Sequence, residues 1–223
     1  MKRLIVTISL IVLSVNFIFS QSQDKGTRLG LEFSPLITWF SPNEKHLEND
    51  GVKISYDFGL NAEFYFSDNY AFVTGVFFSN HVGSIKYLEK FDSLETKAAN
   101  YSIPESESVK YSNKYVRIPV GLKLCTNQIG YNTFYARLGF NTMVNYQSKA
   151  TADSKLFEKE NSYKAMNILN LNYFIGGGVE MSLGSKSAVT LGATYSSGFI
   201  NTFSSTNHFA TNSQVALNIG LIF

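Results

Sequence analysis

Residues 52–66 decide the fold, and they read VKISYDFGLNAEFYF. Every even position from Val52 to Phe66 carries an apolar or aromatic side chain, whereas the odd positions are mostly polar, charged or small. Side chains of a β-strand point alternately to the two faces of a sheet, so this repeat of two indicates a strand with one apolar face. An α-helix repeats about every 3.6 residues and cannot sustain the alternation over this length.

Seven other stretches alternate in the same way, which predicts an all-β chain of eight strands. They are residues 26–40, 70–85, 109–126, 134–141, 169–181, 189–196 and 214–223. The two faces are hard to tell apart in 70–85, because both carry apolar residues. We assign Phe72, Val76 and Phe78 to the outward face there, since the polar His81 falls on the other one.

The connections between these strands alternate in length. Short turns follow the second, fourth and sixth strands, whereas long or polar segments follow the first, third, fifth and seventh. An even number of strands, with short turns at one end and longer loops at the other, is typical of bacterial outer-membrane barrels. The pattern therefore predicts an eight-stranded antiparallel up-and-down transmembrane β-barrel with both termini on the periplasmic side.

Composition agrees with this fold and limits the chemistry. The chain is 44% hydrophobic with a mean hydropathy of −0.03, as expected when lipid-facing and lumen-facing residues alternate. A formal net charge of +2 without a basic cluster gives no reason to expect a nucleic-acid partner. The single cysteine, Cys125, excludes an intramolecular disulfide and a cysteine-based metal site. We predict no cofactor, because the sequence has no metal-ligand spacing and no phosphate-binding loop.

The amino terminus has the three parts of a secretory signal. Lys2 and Arg3 are followed by an apolar run, and Ser20 offers a small residue at its end. The run is shorter than the roughly 20 apolar residues that a membrane-spanning helix needs. We therefore predict a signal peptide at residues 1–20 and an exported barrel domain at residues 21–223.

The final stretch, residues 214–223, has an apolar face that ends on an aromatic residue. That face consists of Val215, Leu217, Ile219, Leu221 and Phe223. In a closed barrel this strand must pair with the first one, because hydrocarbon does not tolerate unpaired strand edges. It also resembles the terminal signal that the outer-membrane assembly machinery reads, so we predict that these five residues direct assembly.

Three segments carry a resemblance to a known family. Residues 115–123 read YVRIPVGLK, residues 176–180 read GGGVE, and the closing strand runs to Phe223. In these segments the chain resembles the PorT-type outer-membrane β-barrel families, and the aromatic-x-Arg-Ile-Pro run is the most specific of the three. Some members of that grouping serve the type IX secretion and gliding machinery. The resemblance thus implies a small outer-membrane barrel and suggests a link to protein secretion.

The charges on the polar faces are balanced in sign. The acidic residues are Glu32, Asp57, Glu63 and Glu180, and the basic residues are Lys53, Arg117, Lys123 and Arg137. The interior of an eight-stranded barrel is just wide enough for side chains to fill, and buried charges have to be paired. The sequence therefore predicts a closed, ion-paired lumen. The alternative is a narrow passive pore for small solutes, lined by Arg117, Lys123 and Arg137.

A second alternative is an envelope hydrolase with its active site at the outer rim. His46, His81 and His208 are all predicted near that rim, and Ser79 shares a face with His81. A serine nucleophile needs a histidine base within hydrogen-bond distance and a third group that orients the base. The sequence indicates no such third group, so we predict that the protein is not an enzyme.

Two long polar segments, at about 86–108 and 148–163, are the predicted contact sites for other proteins. Long loops in compact folds are often functional. We expect the protein to lie in the bacterial outer membrane, among its lipids, after insertion by the assembly machinery. Its predicted role is that of a structural or accessory envelope component that contacts other envelope or secretion proteins through these loops.

Overall fold

The computed structural model describes residues 26–95, 100–184, 187–204 and 209–223. The predicted signal peptide and His208 lie outside these residues. No helix within the described ranges has both the length and the apolar character needed to cross a membrane.

The described chain is built almost entirely from strands. They are β1 (Thr27–Pro42), β2 (Leu47–Asn49), β3 (Lys53–Ser67), β4 (Tyr70–Tyr87), β5 (Phe91–Glu95), β6 (Asn100–Ile103), β7 (Glu107–Cys125), β8 (Asn132–Ala152), β9 (Glu160–Asn161), β10 (Leu169–Gly184), β11 (Ser187–Gly198) and β12 (Ala210–Ile222). A single turn of 3₁₀-helix occupies Tyr163–Ala165.

The eight long strands form a closed antiparallel barrel, which confirms the predicted fold. Their order is β1, β3, β4, β7, β8, β10, β11 and β12, each hydrogen-bonded to the next. The barrel closes where β12 pairs with β1, in a register that sets Leu31 opposite Leu221 and Phe33 opposite Ile219. The backbones of Leu29 and Phe223 exchange two further hydrogen bonds, of 2.8 and 3.2 Å. The seam is thus paired from Leu29 to Pro42 except at Ser34 and Pro35, where the register is interrupted.

An apolar belt surrounds the barrel. We use this name for the exposed apolar side chains on the outer faces of the eight long strands, such as Leu60, Phe72, Val120, Phe140, Ile175 and Leu217. The outward assignment within 70–85 is confirmed, because Phe72 and Phe78 are about half exposed whereas Ala71 and Phe77 are buried inside.

The two ends of the barrel differ. Tight connections join β3 to β4, β7 to β8 and β10 to β11 at one end, which we call the turn end. At the other end, the loop end, β2 pairs with β4, β9 pairs with β8, and β5 pairs with β6 as a separate hairpin. The prediction of long polar loops at about 86–108 and 148–163 is thus partly wrong, since β4 continues to Tyr87 and β8 to Ala152.

Beyond the belt, the two faces of these strand extensions exchange their polarity. Their polar residues face water and their apolar residues point inward, as in an ordinary soluble sheet. The inward residues and the loops above them form an apolar cap that consists of Phe40, Leu47, Ile85, Tyr87, Ile103, Val109, Tyr111, Ala150, Ala152, Phe157, Met166, Phe203 and Ala210. The cap packs across the loop end of the barrel and buries apolar surface that would otherwise face water.

Candidate functional site

The lumen of the barrel is filled by side chains in successive tiers. Nearest the turn end, Lys123 Nζ donates to Glu63 Oε1 at 2.5 Å and also donates to Glu180. Arg28 Nη1 donates to Glu180 Oε2 at 2.9 Å and lies 3.8 Å from Glu63 Oε2. Tyr65 Oη donates to Glu63 at 3.2 Å. Each of the two carboxylates in this turn-end tier therefore faces two bases, as buried charges require.

The central tier contains two arginine–carboxylate pairs. Arg117 contacts Asp57 Oδ2 through Nε at 2.8 Å and Nη2 at 2.6 Å, and its Nη1 donates to Asn141 Oδ1 at 3.0 Å. Arg137 donates to the two oxygens of Glu32 at 3.0 and 3.3 Å. Such forked contacts fix the geometry of both partners. The pairs cross-link β1, β3, β7 and β8 through the middle of the lumen.

A cavity of about 50 Å³ lies between these groups. It is lined by Asp57, Asn61 and Gln214, each of which has a side-chain oxygen with no hydrogen-bond donor among the described residues. A cavity of this size accommodates only a few water molecules. It is a pocket among the side chains that fill the lumen.

An uncharged tier of amides lies between the central tier and the cap. Here Asn172 Nδ2 donates to Asn212 Oδ1 at 2.8 Å, and His81 Nε2 lies 3.0 Å from Ser79 Oγ. Asn170 Nδ2 donates to Tyr115 Oη at 3.3 Å. All six side chains are buried, so the lumen remains filled by side chains from the central tier towards the loop end.

Ser79 and His81 do meet in this tier, with 3.0 Å between Oγ and Nε2. Asn212 uses its oxygen to accept from Asn172, which directs its NH2 group at His81 Nδ1, 3.4 Å away. If Asn212 donates to Nδ1, the histidine proton is on Nε2 and points towards Ser79, whereas a general base must accept the proton of the nucleophile. The two side chains are only 2% and 3% exposed, so substrate has no access to them in this conformation.

The apolar cap closes the loop end. The Phe40 ring packs against Tyr111 and Phe203 at centroid distances of 6.1 and 5.7 Å. The hydroxyls of Tyr87 and Tyr111 form a buried hydrogen bond of 2.7 Å. Burial raises the pKa of Tyr87 to about 12 and raises the pKa of Tyr111 well above its usual value. Both groups lie beyond the apolar belt.

The structure places seven of the eight predicted lumen charges inside the barrel. They are Glu32, Asp57, Glu63, Arg117, Lys123, Arg137 and Glu180. The eighth, Lys53, lies at the loop end of β3, where its ammonium is 4.0 Å from Asp50 in the adjacent loop. The sequence interpretation missed Arg28, which continues the alternation of Glu32 and Gly30 towards the turn end. With Arg28 counted in place of Lys53, the interior again holds four basic and four acidic side chains.

The five residues of the predicted assembly signal all point outward. Val215, Leu217, Ile219, Leu221 and Phe223 are 41–53% exposed and form part of the belt on β12. His46, at the loop end, is only partly buried. The described residues contain no group of three or more His, Cys, Asp or Glu side chains that could hold a metal ion.

A closed barrel with an apolar outer belt and a polar interior defines the class of small transmembrane β-barrels, because closure removes the open strand edges that hydrocarbon does not tolerate. Residues 19–204 match the family described as "Outer membrane protein beta-barrel domain". The chain belongs to this family and lies in the bacterial outer membrane. By the rule for such barrels, the turn end is periplasmic and the loop end extracellular.

No curated protein sequence matches the chain. Among solved structures, Neisserial surface protein A is similar over 88% of this chain and 95% of its own, with 12% identity and a TM-score of 0.47. OprG from Pseudomonas aeruginosa is similar over 91% and 98%, with 12% identity and a TM-score of 0.46. The outer-membrane protease OmpT from Escherichia coli is similar over 92% and 99%, with 7% identity and a TM-score of 0.44.

Proposed function

We propose that this protein is a non-conducting, non-enzymatic barrel that serves as a structural or accessory component of the cell envelope. The observation that carries the proposal is the continuous filling of the lumen, from the ion-paired tiers through the amide tier to the apolar cap. A narrow passive pore is less well supported, because the three bases that would line it are each held by a carboxylate. A hydrolase is less well supported because Ser79 and His81 are both buried.

Conductance in planar bilayers tests the closed lumen. We expect the purified, refolded protein to give no steady channels, since its charged residues cross-link the interior. A Glu32→Ser/Arg137→Ser variant provides the matched control, because it removes one pair without changing the net charge and should raise conductance. Steady, reproducible channels of the unmodified protein would overturn the proposal.

We further propose that the extracellular loops contact other envelope proteins, and that these include components of a secretion machine. The support is the resemblance of residues 115–123 to the PorT-type families, together with the ordered loop structures at the extracellular end. These include the β5–β6 hairpin and the short strands β2 and β9. Ordered loops offer a fixed surface to a partner.

Crosslinking in cells, followed by identification of the captured proteins, tests the partner proposal. A photoreactive residue placed at Leu156, which is 46% exposed in the β8–β9 loop, should capture secretion components. The same residue placed at Tyr131, on the periplasmic turn, serves as the positional control. Capture of no envelope protein from Leu156 would favour a barrel that acts alone.

A further inference from the structure

Three lysines project from the outer wall of the barrel just above the apolar belt. Lys110 and Lys114 lie on the outward face of β7, and Lys149 lies on the same face of β8. The register sets Lys149 opposite Ser112, so it is the diagonal neighbour of both other lysines. Diagonal neighbours of this kind are about 7–8 Å apart.

These charges have no acidic partner in the described part of the chain. None of the three lysines lies within 4.0 Å of a described carboxylate. Like charges placed this closely repel one another, and an external anion would relieve that repulsion.

A groove leads from the belt to this lysine group. It has a volume of about 200 Å³ and is lined by Tyr56, Phe58, Phe78, Ser79, Asn80, Lys114 and Tyr146. The four aromatic side chains are each about half exposed towards the lipid. Its lower part is therefore apolar, whereas its upper end carries an ammonium group.

Further hydrogen-bond donors lie beside Lys114. Asn80 stands opposite Lys114 on one side and Gln147 stands opposite it on the other. Ser112 Oγ donates to Asn80 Oδ1 at 3.2 Å, so the acceptor of this amide is used and its NH2 group is available to an anion. Phosphate oxygens accept hydrogen bonds from both ammonium and amide groups.

We propose that the groove and the three lysines bind a phosphate-bearing glycolipid of the outer leaflet. An acyl chain lies against Phe58 and Phe78, and the headgroup phosphates bind Lys114, Lys149 and Lys110. Lys110 and Lys114 are four residues apart on one strand, which corresponds to about 13 Å. A single phosphodiester cannot reach both, so the spacing favours a headgroup with more than one phosphate over an ordinary anionic phospholipid.

The test uses the full-length protein refolded in detergent micelles, with lipid binding measured by native mass spectrometry. The probes are lipid A with two phosphates, the same lipid after enzymatic dephosphorylation, and phosphatidylglycerol. We expect the doubly phosphorylated lipid to bind roughly tenfold or more tightly than the dephosphorylated form, because each basic residue contributes at a phosphate-rich surface. Equal binding of the two forms would overturn the proposal.

Charge-matched variants locate the site. The Lys110→Gln/Lys114→Gln/Lys149→Gln variant should lose the preference for the phosphorylated lipid. A Lys45→Gln/Lys155→Gln/Lys159→Gln variant loses the same charge from exposed loop positions and should keep it. An unchanged preference in the first variant would overturn the assignment, as would equally tight binding of phosphatidylglycerol to the unmodified protein. The comparison of probes on the unmodified protein remains decisive even if the triple variant does not assemble.

Discussion

At the scale of single residues, the burial of a charge decides how much it matters. Arg117 is enclosed by Asp57, Asn141 and the ring of Phe77, whose centroid is 4.0 Å from the guanidinium carbon. Lys53 also has an acidic neighbour, Asp50, but both side chains are about one third exposed and their charged atoms are 4.0 Å apart. Water therefore screens the second pair much more strongly than the first.

We predict that Arg117→Ala lowers the free energy of unfolding by roughly 3–5 kcal/mol, because it leaves the carboxylate of Asp57 buried without its counter-charge. Urea unfolding of the refolded barrel in lipid vesicles measures the change. Lys53→Ala is the matched control and should change stability by less than about 0.5 kcal/mol. An Arg117→Met/Asp57→Leu variant should recover most of the loss, because it leaves no buried charge unpaired. Equal, small effects of Arg117→Ala and Lys53→Ala would show that the central pair is not an essential support.

The positions of Arg117 and Lys53 show what the sequence pattern can predict and what it cannot. Alternation determines the face on which a side chain lies, and Lys53 shares its face with Asp57. It does not determine depth along the strand, which depends on where the belt ends. The same alternation places Arg28 on the face of Glu32, so the sequence could have predicted this base. Which acid pairs with which base depends on contacts across the lumen and could not be predicted from a local pattern.

At the scale of elements, the seam between β1 and β12 is the contact that makes the sheet a barrel. It pairs the first of the described strands, β1, with the last, β12. Beyond the strand ladder, the backbones of Leu29 and Phe223 share two hydrogen bonds. The Phe223 side chain is 53% exposed at the periplasmic edge of the belt. Aromatic residues favour this interface between hydrocarbon and water.

We predict that deletion of Phe223 lowers the amount of assembled barrel while leaving export intact. The deletion removes both the last backbone pair of the seam and the aromatic side chain of the predicted assembly signal. Heat-modifiable migration in gels measures assembly, and signal-peptide processing measures export. Phe223→Tyr keeps the backbone pair and an aromatic ring and should assemble normally. A deletion variant with a normal amount of heat-modifiable barrel would refute a role of this residue in assembly.

The eight barrel strands were predictable because each one separates lipid from lumen, and this separation imposes a clear alternation on the sequence. The extensions of β4 and β8 were not predicted, since beyond the belt the outer face meets water and the alternation changes sign. Ile85 and Tyr87 face inward there, whereas Lys86 faces out. A strand prediction that follows apolar residues on one face therefore ends where the polarity of the two faces is exchanged. The β5–β6 hairpin rests on contacts within the cap, which no local pattern indicates.

At the scale of the whole molecule, two cores of opposite design are stacked along one barrel. Within the membrane the interior is polar and held by ion pairs, and lipid covers the apolar outside. Above the membrane the interior is the apolar cap, and water covers the polar outside. The second core depends on the hydrophobic effect and on a buried pair of tyrosines, and lipid contributes nothing to it directly. The two cores should therefore respond separately to a change that ionises those tyrosines.

We predict that alkaline pH opens the extracellular cap before it affects the membrane-embedded barrel. Burial raises the pKa of Tyr87 from 10.0 to about 12 and also raises that of Tyr111. A raised pKa in the folded state means that the stabilisation is complete below pH 10 and is lost as the pH rises towards 12. Hydrogen exchange of 84–87 and 107–112 should therefore accelerate in this window, while heat-modifiable migration persists. A Tyr87→Phe/Tyr111→Phe variant removes both hydroxyls with little change in shape, so its cap should stay protected across the window. Identical pH profiles for the variant and the unmodified protein would exclude the tyrosine pair as the cause of opening.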